Sequence, residues 1–248
     1  MNVKDKTIII TGARRIGKTV AKELAKKGAN LAIIYNSSQV EARQAVEECR
    51  GTGIQAEIFQ ANLSKHDDIK RVVEEIITKF GSIDGLVHMA APYPKTPLGQ
   101  ISIEQFDEIM RSIAGSAIFL GQEVGSKMSR EAGAGVAGGK IVFFSDWSVL
   151  HSPFKNYLVY NAAKAAIDSI TKSLAVELAP KISVNAIAPG PILKPPDLTD
   201  EENRQVLAAT PLAHWGGAEE IAKAVLYLLE SDFTTGVILP VDGGRNIV

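Results

Sequence analysis

Short runs of β-branched and apolar residues alternate with longer runs of helical periodicity along the whole chain, and this alternation limits the fold more than any other feature. Thr7-Ile8-Ile9-Ile10 is continuous rather than alternating in polarity. Such a strand needs cover on both faces, as in a parallel sheet. Further strand-like runs lie at 31–35, 55–60, 85–89, 140–144, 183–188 and 237–241. Between them, apolar residues recur at helical spacing over 18–27, where Val20, Ala21, Leu24 and Ala25 share a face. The same holds over 40–50, 64–80, 103–128 (with a bend near Gly115), 157–178 and 218–229. Gly28 and Gly51 with Gly53 supply helix stops, and Ser64 with Asp67 supplies a capping-box-like start. Residues 131–139 read as a Gly/Ala-rich loop and 189–210 as a Pro-rich irregular stretch. About seven strands interleaved with about six helices predict an α/β fold, a doubly wound parallel sheet with helices on both faces.

The chain has 248 residues, 46% of them hydrophobic and 22% charged, enough to bury one large core. No break in composition or fixed-period repeat divides it, so 1–248 reads as one domain with a substrate loop at about 190–212. Twenty-seven Lys and Arg against 28 Asp and Glu exclude the basic excess of a general nucleic-acid binder. No apolar run is long enough to span a membrane, and the first six residues lack the apolar stretch of a signal peptide. The expected setting is the cytoplasm. A single cysteine, Cys49, excludes an internal disulfide and reads as a small packing residue. His66, His88, His151 and His214 have no metal-ligand spacing, so no metal is expected. Lys26-Lys27 and Lys70-Arg71 read as solvated helix faces.

Three places carry chemistry. The turn Thr11-Gly12-Ala13-Arg14-Arg15-Ile16-Gly17 joins the first strand to the first helix. Glycines there permit a tight turn and close backbone approach, and the helix N-terminus attracts phosphate. The second strand ends Ile34-Tyr35-Asn36-Ser37-Ser38, without the acid that binds the ribose hydroxyls of NAD. Arg14, Ser37 and Ser38 can instead meet a 2′-phosphate, so NADPH/NADP+ is favoured over NADH. Tyr160 and Lys164 stand one helical turn apart. A neighbouring ammonium lowers a phenol's pKa and so suits the phenol to proton exchange.

The turn at 11–17, Tyr160-Asn161-Ala162-Ala163-Lys164, Asn185-Ala186-Ile187-Ala188-Pro189-Gly190 and Val241-Asp242-Gly243-Gly244 together resemble the short-chain dehydrogenase/reductase family over nearly the whole length. The resemblance implies a Rossmann-type sheet and a nicotinamide cofactor. Tyr160 would be the acid/base, and Lys164 would lower its pKa and hold the nicotinamide ribose. Pro189, Gly190 and Ile192 would lie beside the nicotinamide, Asn62 and Leu63 near the adenine, and Ala90 along the cofactor. The resemblance also implies a homo-oligomer, a tetramer, built on the two long helices.

Several positions depart from the family pattern. The first turn is one residue shorter and lacks the middle glycine. His88-Met89-Ala90-Ala91 replaces Asn-Asn-Ala-Gly, and the Asn of the central helix falls on Ile113. The catalytic Ser aligns with Asp146 in Ser145-Asp146-Trp147-Ser148. An ionised Asp only accepts hydrogen bonds, whereas a protonated one also donates. Asp for Ser resembles the pteridine reductase branch, as do Arg15-Ile16-Gly17, Ala90-Ala91-Pro92-Tyr93 with Thr96-Pro97-Leu98, and Tyr157-Leu158-Val159-Tyr160. By that likeness Arg15, Tyr93, Asp146 and Tyr160 would bind substrate, with Tyr93 stacking on a pterin, while Trp147, next to Asp146, and Trp215 read either as lining the substrate cleft or as packing residues. The alternatives are a carbonyl or 3-oxoacyl-thioester reductase using Ser145 or Ser148, and a protein that binds NADP(H) without turnover.

Overall fold

The computed structural model describes residues 1–131 and 138–248. Its strands are β1 (Thr7–Thr11), β2 (Asn30–Tyr35), β3 (Ala56–Gln60), β4 (Gly85–His88), β5 (Gly139–Phe144), β6 (Ile182–Pro189) and β7 (Ile238–Val241). They form one seven-stranded sheet in the order β3-β2-β1-β4-β5-β6-β7, every neighbouring pair parallel. The expected architecture is therefore present. Helices α1 (Ile16–Lys26), α2 (Gln39–Arg50) and α8 (Ala218–Glu230) cover one face around Val20, Leu24, Val46 and Val225. Helices α3 (His66–Phe80), α4 (Ile103–Met110), α5 (Ser116–Glu131) and α6 (Leu158–Leu178) cover the other around Val72, Leu120, Phe143 and Ile167. The continuous apolar run of β1 is explained by this double cover: Ile9 faces one core and Ile8 and Ile10 the other.

The order reverses between β1 and β4: the chain leaves β1 for α1 on one face of the sheet and β4 for α4 on the other. A crevice opens at such a switch point, and ligands bind there.

Two readings need correction, a third gains detail and a fourth is described only at its ends. Residues 200–208, within the stretch read as irregular, form helix α7 (Asp200–Ala208). Thr199 caps it in a full capping box with Glu202, a signal hidden among prolines. Helix α3 starts at His66 rather than Ser64, because the Ser64 N–H and hydroxyl both donate to Asn62 Oδ1 in a turn. The central helix bends through a π turn at Arg111–Gly115. Of the loop read over 131–139, residues 132–137 lie outside the described residues, and Glu131 and Gly139 belong to α5 and β5.

Candidate active site

The turn after β1 is shaped by close contacts. Gly12 has φ +81°, and a Cβ there would sit 3.3 Å from the Ala90 backbone. A Cβ on Gly17 would lie 2.0 Å from the Gly12 carbonyl oxygen. Arg15, where the family pattern has its middle glycine, holds φ 47°, ψ −108°. A side chain held at positive φ costs roughly 1–2 kcal/mol, and such strain concentrates at ligand sites. Helix α1 begins beside this turn with no side-chain cap and no acidic residue in its first turn. Apart from the Gly17 N–H, which donates to the Arg14 carbonyl at 2.9 Å, its first-turn N–H groups and its dipole are thus available to an anion. The turn lines a cleft of about 410 Å³ with Gly12, Arg14, Arg15, Ile16 and Gly17 on one wall and Pro189, Gly190 and Ile192 on another. The glycine cradle and bare helix terminus fit a dinucleotide pyrophosphate. Trp215 also lines the cleft, together with Met89, Phe144 and Leu193, which the sequence had not marked as site residues.

The other expected cofactor positions are more scattered. Asn36 and Asn62 line an adjoining cavity with Gln60 and Arg71. The Asn62 side-chain oxygen is already taken by Ser64. Ser37 is exposed, and Ser38 precedes α2 without its side chain capping it. Leu63 packs against the core, so its side chain is not offered to a ligand. The Ala90 N–H donates to Thr11 Oγ1 at 3.0 Å, tying the β4 exit to the β1 exit. Arg14 reaches Glu41 at 3.3 Å across the mouth of the β2 turn.

The catalytic candidates converge where β5 ends against α6. Tyr160 and Lys164 project from α6, and Asp146 follows β5. The Tyr160 hydroxyl donates to Asp146 Oδ2 at 2.7 Å. Lys164 Nζ donates to the Phe144 carbonyl at 2.6 Å and lies 5.8 Å from the centroid of the Tyr160 ring. Asp146 Oδ1 also accepts the Ser148 N–H at 2.9 Å, so the residue caps the next turn and holds Tyr160 at once. The expectation that Lys164 lowers the Tyr160 pKa is not met among the chain's own groups. Burial, and then the Asp146 carboxylate, push the phenol above its ordinary range. Burial meanwhile pulls Lys164 down to about 8, against the opposing pull of Asp146 and Asp168.

Tyr93 stacks on Tyr157 at 4.2 Å and meets Tyr160 edge-on at 4.7 Å. Phe154 meets it edge-on as well, at 5.9 Å, and the ring remains 50% exposed, which leaves part of it open to a ligand. Trp147 does not join the cleft. Its ring is buried, carries the Arg245 guanidinium at 4.8 Å, and lines a separate cavity with Ser152, Ala208 and Pro211. The Tyr160 hydroxyl is held by Asp146 rather than by a serine: Ser145 donates to Asp168 at 2.5 Å, and the buried Ser148 hydroxyl has no hydrogen-bond partner among the described residues. Ile113 is buried in the core at the π turn and offers no polar side chain.

His88, unassigned by the sequence reading, ties the crevice together. Ser116 Oγ donates to the Ser112 carbonyl at 2.7 Å, so it accepts from His88 Nε2 at 2.9 Å. Thr11 Oγ1 accepts from the Met89 and Ala90 N–H groups and so donates to His88 Nδ1 at 2.9 Å. These bonds select one neutral tautomer. Burial holds the imidazole pKa down at about 3.

A family model described as enoyl-(acyl carrier protein) reductase matches residues 11–246. The 3-oxoacyl-(acyl-carrier-protein) reductase FabG of Staphylococcus epidermidis is 32% identical over 247 residues, which cover 97% of this chain and 98% of that one. A Serratia marcescens short-chain dehydrogenase/reductase, solved as a double mutant, superposes with a TM-score of 0.90 at 26% identity, covering 99% of this chain and all of that one. The chain belongs to the short-chain dehydrogenase/reductase family. This short-chain dehydrogenase/reductase also resembles a blue fluorescent protein from a metagenomic library, solved with NADPH, with a TM-score of 0.88 at 27% identity over 99% of both chains. By family it is an oxidoreductase. The similarities reach the family without singling out the pteridine reductase branch. Among the described residues no helix is long and apolar enough to cross a membrane, and no His, Cys, Asp and Glu cluster could hold a metal ion.

Proposed function

We propose that the chain is an NADPH-dependent reductase of a planar, hydrogen-bonding C=N or C=O compound of the pterin class. The observation that carries this reading is the 2.7 Å bond from Tyr160 to Asp146 where the family has a serine. A serine hydroxyl donates to a substrate carbonyl, whereas a carboxylate accepts. Once a substrate draws the Tyr160 hydroxyl away from Asp146, a phenol that donates beside a carboxylate that accepts complements a substrate carrying a lone pair next to an N–H. Ring nitrogens and amides of a pterin present that pair, and a simple ketone does not. The open side of Tyr93 adds a stacking surface. NADPH is preferred because no acid ends β2 and Arg14 stands at that turn.

The reduced nicotinamide, when bound, supplies the hydride. The chain's own part is the proton at Tyr160 Oη, the accepting carboxylate of Asp146 and the aromatic wall that orients the acceptor. Gly12, Gly17 and the α1 terminus would hold the pyrophosphate, and Lys164 would face the ribose. Arg15 stands where cleft and turn meet, available to both ligands. We also propose a homotetramer, supported by the exposed Phe106, Ile118, Phe119, Leu158 and Val176 on α4, α5 and α6.

The similarity to FabG favours a second reading, a 3-oxoacyl-thioester reductase. A panel of 7,8-dihydrobiopterin, 7,8-dihydrofolate and acetoacetyl-coenzyme A, each with NADPH, separates the two. Turnover of the pterins with little of the thioester supports the first reading, and the reverse preference replaces it with the second.

A further inference from the structure

Three consecutive residues at the end of β5 are each gripped by one of three residues spaced four apart on α6. The Phe144 carbonyl accepts from Lys164 at 2.6 Å, Ser145 Oγ donates to Asp168 Oδ1 at 2.5 Å, and Asp146 accepts from Tyr160 at 2.7 Å. Two of those gripping residues, Tyr160 and Lys164, already belong to the site. Asp168, half-buried and next in the same series, has been given no role. Its spacing puts it on the face of α6 that carries Lys164.

We propose that Asp168 is a positioning residue of the reductase site, fixing through Ser145 the turn that carries Asp146 and standing as a counter-charge one helical turn from Lys164. The proposal deepens the reading of Tyr160, Asp146 and Lys164 as a reductase centre and rests on it. The Ser145 N–H is bonded to Ile187 of β6 at 2.8 Å. With its hydroxyl bound to Asp168, Ser145 is held at both ends, and Asp146 is presented to Tyr160 from a fixed backbone. The same bond takes the Ser145 hydroxyl away from the substrate.

The charge argument follows from burial. Lys164 is buried at the core edge, where an isolated ammonium is unstable. The groups that face it are Asp146 from the segment after β5, Tyr160 and Asp168 on its own helix, and His88 from β4, which is neutral. Ile113 brings no charge from the π turn. Two carboxylates therefore oppose the desolvation of one ammonium. Around Asp168 itself, burial raises the carboxyl pKa, while Ser145, Lys172 and Lys164 favour the ionised form.

The test is the titration of Lys164, read from its side-chain 13Cε shift in protein labelled at lysine and assigned with Lys164→Met. Wild type is expected to show a midpoint near 8. Asp168→Asn keeps an acceptor for Ser145 and removes the charge, so the midpoint falls by about one pH unit. Asp168→Glu keeps the charge and titrates nearer to wild type. Ser145→Ala leaves the midpoint in place. A midpoint that does not move in Asp168→Asn overturns the proposal, as does one that moves equally in Asp168→Glu, which would indicate packing alone. NADPH fluorescence titrations separate this from the functional reading. If wild type binds no NADPH, the reductase reading fails, while the lysine titration still decides the role of Asp168.

Discussion

At the residue scale the site turns on who holds the proton. The Tyr160 hydroxyl is bonded to Asp146 and pushed above its ordinary pKa, so it stays protonated at neutral pH until a ligand alters its surroundings. Tyr160→Phe is expected to lower kcat about 10²- to 10⁴-fold, the usual worth of a general acid, with the NADPH dissociation constant unchanged. Asp146→Ser should shift preference toward plain carbonyls, read as the ratio of kcat/KM for acetoacetyl-coenzyme A to that for 7,8-dihydrobiopterin. An unchanged ratio would remove Asp146 from substrate choice. Gly17→Ala puts a methyl 2.0 Å from the Gly12 carbonyl oxygen. NADPH binding, followed by fluorescence, should weaken by at least about tenfold, and wild-type affinity would show that the turn does not hold the cofactor. Tyr160 and Lys164 stood out because their motif occurs in order with three others that resemble the family, whereas a spacing of four alone gives only a shared helix face. Asp168, the next step of that series, did not, because an acid on a long helix normally faces water and only the packed Ser145 shows otherwise. The surroundings of Trp147 were not legible for a related reason: the side-chain direction just beyond a strand is set by tertiary packing, here the Arg245 guanidinium and Phe154 against its ring.

At the element scale the strands and most helices were readable, because a buried parallel sheet forces continuous apolar runs and its cover forces a 3.6-residue stripe. Helix α7 escaped that logic. It has no fully buried residue, so it carries no strong stripe, and its start rests on the Thr199–Glu202 box. Trp215 Nε1 donates to Asn203 of α7 at 2.9 Å, so the helix is tied to a residue lining the cofactor cleft. Thr199→Ala should destabilise α7 by about 1 kcal/mol. Limited proteolysis should then cut within 194–210 faster than in wild type, and NADPH should restore protection. Equal cutting rates in the two proteins would show that the cap does not hold the loop. The Asn62 turn before α3 was invisible in sequence, and the irregularity near Gly115 was legible only as a bend and not as a π turn, since each depends on one local hydrogen-bond choice among several open to the same residues.

At the scale of the whole molecule, the Thr11–His88–Ser116 chain joins the β1 exit, the β4 exit and the central helix. Its imidazole titrates at about 3 in the fold and near 6.5 when unfolded. Between those values the unfolded chain binds more protons, so stability rises with pH through this window and is lost as pH falls from 6.5 toward 3. The full effect is on the order of 4 kcal/mol. Thermal melts should show a steeper loss of Tm between pH 6.5 and 4 in wild type than in His88→Asn, and parallel curves would contradict the assigned neutral tautomer. The exposed apolar residues of α4, α5 and α6 predict a tetramer by light scattering, and a monomer at micromolar concentration would oppose it.

The most direct measurement is the loss of NADPH absorbance with 7,8-dihydrobiopterin, run for wild type, Tyr160→Phe and Asp146→Ala side by side. Steady oxidation by wild type that falls at least about a hundredfold in both variants, with NADPH still bound, is the predicted result. Oxidation that survives either substitution, or none in wild type despite bound NADPH, would contradict a Tyr160–Asp146 reductase of this substrate class.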